Sequence, residues 1–181
     1  MWGDIMNFKA INMFLSEENI KRHYEHLRTL RLKYSVLEKS VPEVKGREIK
    51  DIATMSINRK IREEALSLLW NIKSHELFFN SFIENPMWPE DIRKHNSTRE
   101  SLAYEIFMES KDKNCGFIYV YTDKHKKLLI SFSNLYDGTF LKYEPMLCID
   151  LFEHAYFNDY GFKKEDYIRA ALNYLDTGKL S

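Results

Sequence analysis

Glycine and proline are scarce in this chain, 6 and 4 among 181 residues, which excludes a disordered or low-complexity polypeptide. Cysteine is nearly absent. Cys115 and Cys148 lie far apart and neither belongs to a C-x-x-C pair, which argues against a disulfide scaffold or a zinc finger. Charge of one sign is not in excess, since 27 basic residues balance 27 acidic ones. That removes support for wholesale binding to nucleic acid or a membrane, while a local basic patch stays open. No apolar run is long enough to span a bilayer. The start, "MWGDIMNFKAINMF", has no basic segment leading into a long apolar core, so no secretory signal is expected. What is present is 44% hydrophobic and 14% aromatic residues, enough for a packed interior. The expectation is a soluble intracellular protein, one domain or two small lobes sharing a core.

The first half reads as helical. Ser16 is a plausible N-cap, with Glu17 and Glu18 where a helix start favours negative charge. Ile20, His23, Tyr24, Leu27, Leu30, Tyr34 and Leu37 recur at three- and four-residue steps until Pro42 and Gly46 interrupt them. A second helix is expected from about Ile57 to Phe82, ending before Asn85-Pro86. In the second half, Ser97-Thr98-Arg99-Glu100 reads as a capping box opening a helix through about Ser110. "GFIYVYT" and "KKLLISFS" flank the polar turn Asp123-Lys124-His125 as a hairpin, and "PMLCIDL" follows Asp137-Gly138 as a third strand. A last helix is expected from about Lys164 to Asp176. The fold class is α+β: an N-terminal antiparallel helical hairpin over 1–88, then a lobe over 89–181 with a small three-stranded antiparallel sheet and helices.

The stretch "LCIDLFEHAYFNDY", Leu147 to Tyr160, carries the chemistry. Asp150, Glu153 and His154 stand there among aromatics, where an unpaired carboxylate or imidazole is costly. His23 and His75 sit on the apolar faces of the two expected helices, and a hairpin could bring them together. Three neutral imidazoles and one carboxylate make an intermediate-to-hard site suited to iron or manganese, with zinc possible. Each histidine alone has a plainer reading, a core imidazole bonded to a carbonyl.

"SEENIKRHYEHL", "SHELFFNSF" and "IDLFEHAYFNDY" together resemble the three metal-binding segments of the iron/manganese superoxide dismutases, in order and separation, from about Phe14 to Leu180. The resemblance implies His23, His75, Asp150 and His154 as ligands of one iron or manganese per subunit, with solvent at a fifth position. It implies superoxide as substrate and a homodimer in which Glu153 reaches the partner's metal-bound histidine. With no secretory signal seen, the expected location is the cytoplasm or the mitochondrial matrix.

The sequence departs from the family at several places. The gateway histidine and tyrosine are replaced by Leu27 and Arg31, and the tyrosine that bonds across the dimer by Phe157. Asn71, a shorter amide, stands at one position of the family's solvent-holding glutamine, and Leu135 at the other. Phe79, Phe117 and Phe152 take the places of tryptophans. His26 could substitute for the gateway histidine; taking it as the ligand instead would align Tyr34 with the gateway tyrosine but break the His23-Tyr24 pair. Asn71, His26 and Arg31 are therefore the candidate catalytic residues, with Arg31 a surface cation or an attractor for the anionic substrate. The competing expectation is a dismutase-like protein without turnover. It would act as a structural subunit of a larger assembly, as relatives in some mitochondrial ribosomes do, or as a metal protein of other chemistry.

Overall fold

A computed structural model describes residues 8–87, 98–125, 127–134, 136, 140 and 144–180. A short helix α1 (Phe8–Ile11) precedes α2 (Glu17–Ser40), and Ser16 caps α2 by accepting from the Asn19 amide at 3.2 Å. A 3-10 turn at Pro42–Val44 and a short helix α3 (Ile49–Thr54) lie in the connection. The sequence gives α3 little periodic signal, and it forms on a reciprocal cap between Glu48 and Asp51. Helix α4 (Arg59–Asn80) then runs back along α2, its start fixed by Asn58 accepting from the Lys60 amide. Tyr24 meets Phe79 and His26 meets His75, so the contacts run in opposite chain order, as an antiparallel pair requires.

Helix α5 (Arg99–Ser110) opens on a capping box one residue later than expected. Thr98 accepts from the Ser101 amide and Ser101 returns the bond, while Ser97 lies outside the described residues. Strands β1 (Phe117–Thr122), β2 (Leu128–Ser133) and β3 (Leu147–Asp150) form an antiparallel sheet in the order β2-β1-β3. Its register sets Phe117 opposite both Ser133 and Asp150. Helices α6 (Glu153–Tyr160) and α7 (Lys164–Leu172) follow; α7 stops short of the expected Asp176, where Leu175 bridges to Phe82 instead, and a 3-10 turn at Thr177–Leu180 comes after it.

One core joins both halves. Leu27, Phe78 and Phe79 of the hairpin pack in the same cluster as Phe117, Ile149 and Tyr167. Full burial of each such side chain is worth about 1.5–3 kcal/mol. The expected boundary at residues 88 and 89 lies outside the described residues, as do Asp137-Gly138 and Leu135. Among the described residues, no helix is long and apolar enough to cross a membrane.

Candidate metal centre

Four elements deliver one side chain each to a single point. His23 comes from α2 and His75 from α4, both fully buried, because each occupies the inward stripe of its amphipathic helix. Asp150 ends β3, also fully buried, where the sheet meets α6. His154, in the first turn of α6, is 30% exposed in its side chain. Three further bonds pin the Asp150 backbone and carboxylate. The Tyr167 hydroxyl donates to the Asp150 carbonyl at 2.8 Å, and the Leu151 amide donates to the Gly116 carbonyl at 2.7 Å. The Phe152 amide donates to Asp150 Oδ1 at 2.8 Å, which leaves Oδ2 for the histidines.

Oδ2 stands 3.1 Å from His23 Nε2, 3.3 Å from His154 Nε2 and 3.6 Å from His75 Nε2. His75 Nε2 and His154 Nε2 are 3.1 Å apart, and one ligand atom from each of the four residues lies within 4.8 Å of every other. Donor atoms about 2.1 Å from a common ion, at angles of 90–120°, stand roughly 3.0–3.6 Å apart. The separations therefore fit a mononuclear site. The tautomer fits as well. His75 Nδ1 lies 2.7 Å from the Asn71 carbonyl, an acceptor, so the ring proton sits on Nδ1 and Nε2 presents a lone pair.

Aromatic rings close the site. His23 lies against Phe78 and Phe79, His75 meets Phe117 edge-on at 5.2 Å, and His154 stacks on Phe152 at 5.5 Å. Phe79, Phe117 and Phe152 thus stand beside the ligand candidates, as expected of residues that take the places of the family's tryptophans. Leu27 is fully buried in the core. An apolar side chain there leaves no polar group unpaired, so the missing gateway histidine carries no desolvation cost.

Of the three candidate catalytic residues, the structure brings one to the cluster. The His26 ring stacks on His154 at 4.5 Å and lies 5.2 Å from His75. The Asn71 side chain instead turns along its helix and donates to the Ser67 carbonyl at 3.1 Å; its main-chain carbonyl is what reaches the site. Arg31 is bound to Glu76, Nη2 and Nε both reaching Oε1 at 2.7 and 3.2 Å. Glu76 escaped the sequence reading because an acidic residue next to a buried histidine looks like an ordinary solvated position. Asn19 also escaped it, although a polar residue four positions before His23 on the inward face was a visible signal.

The electrostatics follow from burial. Desolvation lowers the pKa of His23 against the pull of Asp150, lowers His75 to about 3, and lowers His26, where the His154 and His23 rings add to it. Burial raises the Asp150 carboxyl, but His154 and His23 more than reverse this and hold it below the usual carboxylate range. His75 is therefore neutral when folded and takes a proton near pH 6.5 when unfolded. Below that pH the unfolded chain binds more protons, so stability is fully present above about 6.5 and falls as pH drops toward 3. Chelator-treated protein should lose roughly 2 kcal/mol from His75 alone between pH 7.5 and 5, read as a lower urea midpoint. Equal midpoints at the two pH values would contradict a buried neutral His75.

Comparison with known families agrees with the site. No curated protein is similar enough in sequence to stand as a relative. Residues 89–180, just over half of the chain, match the family described as iron/manganese superoxide dismutases, C-terminal domain. The match includes Asp150 and His154, while His23 and His75 lie before it and are brought to them by the fold. A domain of this family over half the chain, completed by two helical imidazoles from the other half, identifies the polypeptide as a member of the iron/manganese superoxide dismutase family.

Proposed function

We propose that the protein is a superoxide dismutase in which His23, His75, Asp150 and His154 hold one iron or manganese ion. The observation that carries this is the convergence of three imidazole Nε2 atoms on one carboxylate oxygen, with the His75 proton parked on the far side of its ring. When bound, the ion supplies redox chemistry, taking an electron from one superoxide and giving one to the next. The chain does the rest. Asp150 supplies the single negative charge that offsets part of the ion's charge. The Asn71 carbonyl keeps the His75 proton on Nδ1 and so orients its Nε2. Phe78, Phe79 and Phe117 exclude water from the buried side, while the stacked rings of His26 and His154 form the open side. On that side His26 has ring nitrogens that can pass a proton toward the substrate, the role of the family's missing gateway histidine.

A second reading has its own support. Leu27 is core, Arg31 is tied to Glu76, and the Asn71 amide is spent on Ser67, so the groups that tune turnover in the family are rebuilt. A metal protein of other chemistry, or a subunit of a larger assembly, would need only the ligands. Metal analysis and a superoxide assay on one purified sample separate the two. The dismutase reading expects one iron or manganese per chain and disproportionation that scales with metal content; full metal loading with background turnover would overturn it.

Arg31 was expected either as a plain surface cation or as an attractor for the anionic substrate. Paired with Glu76 and about 40% exposed, its charge is largely cancelled. Arg31→Ala should then change the low-salt rate by less than about twofold, while Glu76→Gln, which frees the guanidinium, raises it and steepens the salt dependence. A large low-salt loss in Arg31→Ala with no gain in Glu76→Gln would restore the attractor reading.

A homodimer through α6 completes the proposal. Glu153 is exposed there beside His154, and Phe162 is 93% exposed, meeting Phe157 edge-on at 5.2 Å. So much exposed aromatic surface suits a contact with a second copy better than water. Phe162→Glu should convert a dimer into monomers at micromolar concentration, read by sedimentation, with the monomer fold retained. A wild-type protein that sediments as a monomer would remove this part of the proposal.

A further inference from the structure

Asn19 is fully buried, and its amide group is accounted for on one side only. Nδ2 donates to the Ala155 carbonyl at 2.9 Å and to Asp159 Oδ2 at 3.1 Å, both on α6. Asp159 Oδ2 also accepts from the Ser16 amide at 2.8 Å, so the first turn of α2 is laced to α6 beside His154. Two acceptors on the nitrogen side fix which way the amide faces. Its oxygen, Oδ1, is buried with no partner among the described residues. One turn along the same helix face, His23 Nδ1 is also buried with no partner.

The two unpaired atoms are complementary. If Nε2 of His23 presents a lone pair to an ion, Nδ1 must carry the proton and needs an acceptor. A buried N–H left unpaired costs about 1–3 kcal/mol, and so does a buried amide oxygen. Four residues apart on one helix face, the two side chains are placed to satisfy each other.

We infer that Asn19 is a positioning residue for the metal centre: its Nδ2 ties α2 to α6, and its Oδ1 accepts the Nδ1 proton of His23, which leaves Nε2 free to bind the ion. This rests on the assignment of His23 as a ligand. It gives the site a device at the first ligand matching the one the Asn71 carbonyl provides at His75. It also links two ligand-bearing helices through one side chain, so that a shift of α6 moves His23 and His154 together.

Zinc(II), which is diamagnetic, serves as the probe. Proton–nitrogen correlation spectra of the histidine rings should show the His23 Nδ1 proton exchanging slowly, with Nε2 shifting on zinc addition. In Asn19→Leu that proton should broaden and zinc affinity should fall roughly 10- to 100-fold. Asn19→Asp, made together with Asp159→Asn so that no two carboxylates face each other, keeps an oxygen acceptor and should restore the Nδ1 signal and part of the affinity, an outcome a purely structural role would not give. Wild-type zinc affinity and an unchanged His23 signal in Asn19→Leu would overturn the inference. If Asn19→Leu does not fold, the unmutated protein decides: a His23 Nδ1 proton exchanging as fast as that of exposed His125 is equally fatal. Failure of the ligand assignment looks different, because zinc would then leave the His23 ring of the unmutated protein unshifted, and the inference falls with it.

Discussion

His75→Ala should abolish stoichiometric metal binding and bring superoxide turnover to background while the protein stays folded. The imidazole contributes one of three nitrogen donors, and the Phe117 ring that packs edge-on against it offers no donor in its place. Loss of a ligand costs more than loss of the groups that orient it, so metal affinity should drop by more than about 100-fold. The fold survives because the buried imidazole is not a stabilising group at acid pH: burial lowers its pKa to about 3, so replacing it removes a proton-linked penalty. The metal-free variant should therefore show a flatter stability curve between pH 7.5 and 5 than the parent. Retention of full metal content in His75→Ala, measured by mass spectrometry of the elements on a folded sample, would show that another residue set holds the ion.

Gly116→Ala should be the most damaging single methyl group in the sheet. Gly116 has φ +139°, a conformation that side chains rarely adopt. A Cβ there would sit 2.5 Å from the Ser133 carbonyl oxygen and 2.7 Å from the Phe132 ring. The carbonyl belongs to the β1–β2 ladder and cannot retreat without breaking register. Strain and overpacking together should cost about 2–4 kcal/mol. The effect should also reach the metal. The Gly116 carbonyl receives the Leu151 amide, and the next residue, Phe117, pairs with Asp150, so a displaced β1 moves the carboxylate. Denaturation in urea and metal content together test this: a lower midpoint with reduced metal uptake is expected, and parental values for both would contradict it.

The four candidate ligands were legible through the family resemblance, while periodicity and spacing, which act over short distances, placed them on their elements. His23 and His75 fall on inward helical stripes, and Asp150 and His154 are four residues apart across a strand-to-helix junction. The helices, the hairpin strands and the Ser16 cap were readable for the same local reasons. What was not readable depends on rotamers and long-range partners. No periodicity says that Arg31 will find Glu76, that the Asn71 amide will bond Ser67, or that His26 will stack on His154. Asn19 bonds to Ala155 across 136 positions, beyond any pattern within one helix. The short helix α3 rests on a reciprocal cap between Glu48 and Asp51 that lacks the usual Ser/Thr lead, so no local pattern announces it.

The central claim is that His23, His75, Asp150 and His154 surround one redox-active ion. X-ray absorption at the metal edge of iron- or manganese-loaded protein tests it most directly. Three imidazole nitrogens with their outer-ring scattering, and one or two oxygens, all at about 2.1 Å, are expected. A shell of oxygens alone, with no imidazole scattering, would contradict it.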